Sequence, residues 1–403
     1  MQGTGPGRSR RARWAAALAV ACLVAALNLL VWRLFNPPIS AADVPARVGG
    51  LAYNAFQRHD DPLAVRLPRR DQIEEDLRRL ATLTSRLRTY SAAELPDLPA
   101  LATRYGFELA LGVWLDRDAV RNDREIAAAL DATRRHGSVR RIIAGNETQL
   151  HGVLTAHELT DVLKRLRAQR RVPVSSAEPW HVWLRQPELA EQVDFITAHL
   201  LPYWEGVPVH AALDEALVRY HQLRERFPHK PIVIGEIGWP SAGATLQAPR
   251  WSPELALSAP AIATPDAQAR FVRGFLAWAA VASARGEAPD YYLMEAIDQP
   301  WKEATEGRAG AHWGLWDAAR QAKFEFSGPV QRDPFWLTQA LVSSALALVL
   351  LPPLLAGFRN LRLPGRCVLA VAVQAVASFV VVLALQPLQH YLSVSDVLTM
   401  LLL

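Results

Sequence analysis

From residue 48 onward, short apolar runs alternate with amphipathic stretches, and the alternation repeats eight times before residue 330. Such a repeat builds a parallel sheet, because parallel neighbours must be joined by crossover helices. Eight units in about 250 residues is the count and size of a (β/α)8 TIM barrel, an α/β fold. Strands are expected near 48–54, 84–90, 107–114, Val139–Glu147, 172–178, 193–201, the run that opens at Pro231, and Tyr291–Asp298. Helices are expected near 69–80, with Ile73, Leu77 and Leu80 on one face, and near 121–135. A later helix starts at Thr264-Pro265-Asp266, an N-cap followed by Pro in the first turn. A doubly wound open sheet is the competing arrangement, but no Gly-rich phosphate loop follows the first strand.

The chain is 51% hydrophobic, and the excess lies at its two ends. Residues 14–35 form an apolar stretch interrupted by Asn28 and Arg33, long enough to cross a bilayer. A cleaved signal peptide, with Ser40-Ala41-Ala42 as its site, is the rival, but the stretch exceeds a usual signal core. Two further spans are expected at 335–358, broken by Pro352-Pro353, and at 367–388, so that at least two transmembrane helices follow the barrel. The net charge of +5 is more than accounted for by seven arginines in the tail 1–13 and the loop 359–366. That distribution argues against a nucleic-acid partner and for membrane lipid. It places both basic segments in the cytoplasm and residues 48–330 on the other side. Cys22 and Cys367 both lie in apolar runs, so the central domain has neither a disulfide nor a Cys metal site. His157-Glu158 lacks the second His of a zincin, and no metal or other cofactor is expected.

The chemistry concentrates at strand ends. The run Pro231-Ile-Val-Ile-Gly-Glu-Ile-Gly-Trp-Pro-Ser-Ala-Gly243 reads as a strand buried on both faces that stops on Glu236. A bare capping acid is the bland reading of such a residue. Asn146-Glu147 closes the fourth strand, so two carboxyl groups from different strands come to one barrel mouth. A pair about 5–5.5 Å apart is what a retaining glycosidase needs, one as nucleophile and one as acid/base. Tyr53, Tyr203, Trp204, Trp239 and Trp301 stand at strand ends or in the following loops, where rings can stack on sugar faces.

The string Glu236-Ile-Gly-Trp-Pro-Ser resembles the signature of glycoside hydrolase family 17, the β-1,3-glucanase family, and implies Glu236 as nucleophile. Asn146-Glu147 is similar to the acid/base signature of the clan A barrel glycosidases, which implies Glu147 as acid/base and Asn146 as a contact to a substrate hydroxyl. Tyr53 and Tyr203 match family tyrosines. Asp298, Lys302, Glu306 and Gly314-Leu315-Trp316 match the family's eighth-strand loop in order, although plant members have Asp-Glu-Asn where this chain has Asp298-Gln299-Pro300. Glu295 is read either as a substrate contact or as an ion-pair partner of Lys302.

The likeness covers roughly residues 48–326 and is nearest to the bacterial, membrane-anchored branch associated with β-1,3/1,6-glucan synthesis and remodelling. It implies a retaining β-glucan-active enzyme acting on a glucan oligosaccharide or polysaccharide, at the periplasmic face of a bacterial inner membrane. A plain endo-β-1,3-glucanase is one alternative. A non-catalytic glucan-binding subunit partnered with a membrane glucan synthase is another, disfavoured because a binding module has no need of both Glu147 and Glu236.

Overall fold

The computed structural model describes residues 6–243, 261–331, 333, 335–358 and 360–385. The first five residues of the basic tail, Arg359 and residues 386–403 lie outside the described residues. The chain divides into two compact units, one made of residues 40–330 and the other of the two chain ends.

The first helix, α1, runs Pro6–Phe35. The large unit then follows the expected alternation. It runs β1 Leu51–Ala52, α2 Arg70–Leu80, β2 Arg86–Arg88, α3 Leu98–Tyr105, β3 Glu108–Val113, α4 Ala119–Arg135 and β4 Val139–Asn146. It continues α5 Ala156–Gln169, β5 Val174–Pro179, α6 Trp180–Arg185, β6 Ile196–Leu200, α7 Val209–Arg226 and β7 Ile232–Ile237. It closes with α8 Pro265–Ala284, β8 Tyr291–Leu293 and α9 Glu303–Gly310. All eight strands are parallel, and β8 pairs with β1, so the sheet is a closed barrel with no open edge. Thr264 caps α8 by accepting from the Ala267 backbone N–H, as the sequence implies.

Alternation along the strands separates two cores. Ile196, Ala198, Leu200, Ile232 and Ile234 pack outward with helix residues such as Leu77, Leu163 and Phe275. Ala110, Ile143, Ala177, Phe195, Val233 and Tyr292 form a separate cluster from the intervening strand positions.

Two strands are shorter than the apolar runs suggest. The ladder of β1 is two residues long, flanked by single bonds from Val48 N to Leu83 O and Tyr53 N to Arg88 O. The eighth run, expected to reach Asp298, leaves the ladder after Leu293 because Glu295 turns to another partner. Its N–H donates to Trp313 O and its carbonyl accepts from Leu315 N.

The other unit holds α1 with α10 Trp336–Gly357 and α11 Leu363–Leu385. The candidate spans in α10 and α11 are 22 residues each, long enough for a hydrocarbon core about 30 Å thick. Contrary to the expected break, α10 continues through Pro352 and Pro353. Each lacks an N–H and so removes one backbone bond, but the helix runs on to Gly357. Asn28, which interrupts the first apolar run, is buried and satisfied. Its amide donates to Ala340 O, Ser343 Oγ and Ser344 Oγ at 3.0–3.1 Å and accepts from Ser378 Oγ at 3.0 Å. Hydrogen bonds of this kind join apolar helices that have no hydrophobic drive to associate in lipid.

Candidate active site

Irregularities in strand pairing turn the key side chains into the C-terminal mouth. The register shifts between Ala198 and His199 where β6 meets β7, and between Ile143 and Asn146 where β4 meets β5. Such bulges re-aim side chains that strict alternation would send outward. His199 thereby pairs with Glu236 across β6 and β7. At the end of β4, Gly145 (φ +80°) and Glu147 (φ +55°) are both left-handed, and the second is a strained conformation for a residue with a side chain. Gly238 lets the β7 exit pass close to β8, since a Cβ there would lie 2.2 Å from Met294 O.

Glu147 and Glu236 meet as expected, with side-chain donor atoms of the pair and of His199 all within 4.8 Å of one another. Glu236 is buried, and its Oε1 accepts from Arg88 Nη1 at 2.8 Å and from the Tyr90 hydroxyl at 2.9 Å. Burial, then the Glu236 charge, pushes the Tyr90 hydroxyl well above its ordinary range, so it stays a neutral donor. Arg88 Nη2 also donates to Asn146 Oδ1 at 2.6 Å, which fixes the amide beside the pair. Glu147 is gripped from two sides, by His199 Nδ1 at 2.8 Å from Oε1 and by His151 Nε2 at 3.2 Å from Oε2. Burial pushes the Glu147 carboxyl up, but hydrogen bonds from His151 and His199 outweigh it and hold the group below the usual carboxylate range. Mutual repulsion, the simple expectation for paired acids, therefore does not set its ionisation; the histidines between and beside the acids do.

Glu147, His199 and Glu236 are the donor types of a chelating trio. Arg88 already occupies the Glu236 oxygen, and a metal cation there would face the guanidinium, so the arrangement suits acid–base work rather than metal binding.

The expected site residues after the eighth strand take different places. Glu295 is fully buried and pairs with Lys302 Nζ at 3.0 and 3.1 Å, so of its two readings the ion pair is the one present. Burial pushes Glu295 up to about 7 against the opposing charge of Lys302. Asp298 is also buried, accepting from Lys323 Nζ at 2.7 Å and Gly314 N at 2.8 Å, and it braces the Gly314-Leu315-Trp316 turn. Lys302 is buried and Glu306 exposed, yet each feels the charge of Glu236.

The aromatic platform requires correction. Tyr53, Tyr203 and Trp239 are fully buried and present no ring face to a ligand. Tyr53 donates to Asp76 Oδ2 at 3.2 Å, away from the carboxylate pair. Trp239 lies in an aromatic core, 5.2 Å from Tyr203 and 5.7 Å from Phe271, with its indole N–H on Ile262 O. These rings support Trp204, which is 38% exposed and tilted over Trp313. Trp301 is half-buried, edge-on to Phe56, with its N–H on Gln299.

Arg88, Tyr90, His151 and His199 did not emerge from the sequence. The available signal was a polar side chain interrupting an apolar strand near its C-terminal end, as in Arg86-Leu-Arg88 and Thr197-Ala-His199.

The family described as BtgE/BtgC glycoside hydrolase domain matches residues 50–314. A glucan 1,3-beta-glucosidase of Arthroderma benhamiae is 25% identical over 279 residues, covering 62% of this chain and 82% of its own. A glucan 1,3-beta-glucosidase of Candida albicans is 22% identical, covering 69% of this chain and 92% of its own. Among solved structures, an active-site mutant of Rhizomucor miehei beta-1,3-glucanosyltransferase in complex with laminaritriose superposes with TM-score 0.57 at 23% identity. That match covers 69% of this chain and 97% of the other. An endo-laminarinase from Formosa gives TM-score 0.52 at 18% identity, over 70% of this chain and 86% of its own. Both structures share the barrel fold.

Proposed function

The chain belongs to the BtgE/BtgC glycoside hydrolase domain family and is a glycosidase; from that premise we propose that it cleaves and rejoins β-1,3-glucan through a covalent intermediate on Glu236. The observation that carries this reading is the separation of the two acids. One oxygen of each carboxylate lies within 4.8 Å of the other, which supports the ~5–5.5 Å spacing of retaining enzymes over the ~6.5–9.5 Å that an inverting one needs for its water. Arg88 and Tyr90 both bind Oε1 of Glu236, and no donor among the described residues reaches Oε2, which is the oxygen free to attack the anomeric carbon. Glu147 then protonates the leaving oxygen and afterwards deprotonates the acceptor. Asn146, with its carbonyl oxygen held by Arg88, turns its amide donors to a substrate hydroxyl. The named relatives, which carry glucan 1,3-beta-glucosidase and beta-1,3-glucanosyltransferase descriptions, support the substrate class.

Transfer to a sugar is favoured over transfer to water by a bound acceptor, because positioning makes the second step effectively unimolecular. Trp204, the exposed ring that the buried aromatics support, is the natural platform for it. Incubation with laminari-oligosaccharides at millimolar concentration should yield, from the earliest times, products longer than the substrate with retained β configuration. A new 1,6 link among them would identify a branching activity. Only shorter products from the first time point would make the enzyme a plain hydrolase.

The helices α1, α10 and α11 are read as membrane spans that tether the barrel on the periplasmic side of an inner membrane, where it meets glucan emerging from a synthase. Two apolar helices and the clustering of arginine at 8–13 and 359–366 support that placement. A reporter active only outside the cytoplasm should work when fused within residues 48–330. Activity of a cytoplasmic reporter at the same points would reverse the topology.

A further inference from the structure

Glu147 poses a chemical problem for its own role. A general acid must carry a proton, yet two histidines bind its two oxygens and favour the carboxylate. The two histidines are not equivalent. His199 is 1% exposed and enclosed between the acids, with Nε2 3.6 Å from Glu236 Oε1. The His151 side chain is 62% exposed, so it touches Glu147 on one side and solvent on the other.

His151 is also held in place. Its backbone N–H donates to the Glu147 carbonyl at 3.0 Å, closing a tight turn directly after the acid. Glu178, fully buried at the end of β5, grips that turn from below. It accepts from Thr148 Oγ1 at 3.0 Å, Gln149 N at 2.8 Å and Leu150 N at 3.2 Å. A buried carboxylate spent on three consecutive residues fixes where the next side chain lies. The charged groups whose fields act on His151 are Glu147 on its own loop, Glu178 on β5 and Glu306 on α9.

We propose that His151 is the proton reservoir of the site, a positioning residue that stores the catalytic proton and passes it to the substrate through Glu147. The proposal rests on the reading of Glu147 as acid/base. In the resting site one proton is shared between His151 Nε2 and Glu147 Oε2. As the C1–O bond breaks and a Glu236 oxygen bonds to C1, that proton moves through the carboxyl to the departing oxygen, leaving neutral His151 beside a Glu147 carboxylate. In the second step the acceptor O–H gives its proton to Glu147 as its oxygen displaces Glu236 from C1, and the pair again holds one proton. No net proton is consumed, and loading from solvent passes through the exposed face of His151. The hydrogen bond to Glu147 raises His151 above its ordinary range, against a smaller opposing effect of burial, and Glu178 and Glu306 add to the rise.

The sign of the pH dependence follows. The active form is the singly protonated pair, so activity persists until that proton is lost at a value above that of a free histidine. Removing the imidazole returns the basic limb to Glu147 alone. In the full-length His151→Gln protein, the basic limb of kcat/KM for a laminari-oligosaccharide should therefore move acidward by about two pH units or more, from above the free-histidine range to the carboxylate range. For a nitrophenyl β-glucoside, whose leaving group needs no proton, kcat/KM should fall by a much smaller factor than for the oligosaccharide. A limb that stays in place, or equal losses on both substrates, would overturn the relay. If His151→Gln fails to fold, the wild type with 13C-labelled histidine decides the matter. One imidazole should titrate above the usual histidine range and drop in Glu147→Gln; no such change also overturns it. A wild type inert on both substrates would instead remove the glycosidase reading itself.

Discussion

Glu236→Gln loses turnover on every glucoside, natural or activated, by a factor on the order of 10^4 or more, the scale seen when a covalent nucleophile is removed. The substitution is isosteric and keeps an acceptor for Tyr90 and Arg88, so the loss reports the missing charge rather than a collapsed site. Arg88 is the residue that feels the change. Its guanidinium is 1% exposed and loses its counter-ion, but it retains Gly235 O at 2.8 Å and Asn146 Oδ1 at 2.6 Å. A modest fall in melting temperature with a folded circular dichroism spectrum is therefore expected alongside the loss of rate. Because the first step needs the nucleophile whatever the leaving group, no substrate should escape. Residual activity within about tenfold of wild type on a nitrophenyl β-glucoside would remove Glu236 from the mechanism.

The parts of this protein legible in its sequence are those set by local periodicity. Outward-facing apolar positions recur with strand and helix spacing, so the eight units are visible before any contact is known. The two glutamates were visible for a related reason: a carboxylate at the end of an apolar strand is costly unless it has a task there. Their partners were not. Arg88, Tyr90 and His199 belong to β2, the loop after it and β6, and only barrel closure brings them to Glu236 and Glu147. Aromatics misled for a different reason. A ring in a strand-end loop has the same sequence appearance whether it faces solvent or the core, so Trp239 and Trp204 could not be told apart, although one is buried and the other exposed. The eighth run is the same lesson in backbone form. Tyr291–Asp298 is apolar enough for a full strand, but residue 295 pairs with 313 and 315, a competition that no local pattern records. Asn28 was seen only as an interruption, because its serine partners lie more than three hundred residues away.

Glu147→Gln separates the two half-reactions, and that is its diagnostic value. With a laminari-oligosaccharide the leaving alkoxide needs a proton, so the first step should slow by about 10^2–10^4-fold, the range that general acid catalysis supplies. With a nitrophenyl β-glucoside the first step needs no acid and should proceed near the wild-type rate. The second step still lacks its base, so the covalent intermediate on Glu236 should accumulate and appear as a burst of nitrophenolate followed by slow turnover. The substituted amide would keep an oxygen for the His199 Nδ1 donor, which in the wild type stands 2.8 Å from the carboxylate, so the site should keep its shape. Azide, a nucleophile with no proton to remove, should then relieve the block and yield a β-glucosyl azide, with faster turnover as its concentration rises. That product also reports stereochemistry, since two displacements at C1 return the β configuration whereas a single displacement gives the α anomer. Equal losses on both substrates, or a rate indifferent to azide, would mean that Glu147 is not the acid/base and that the proton comes from another group at this mouth.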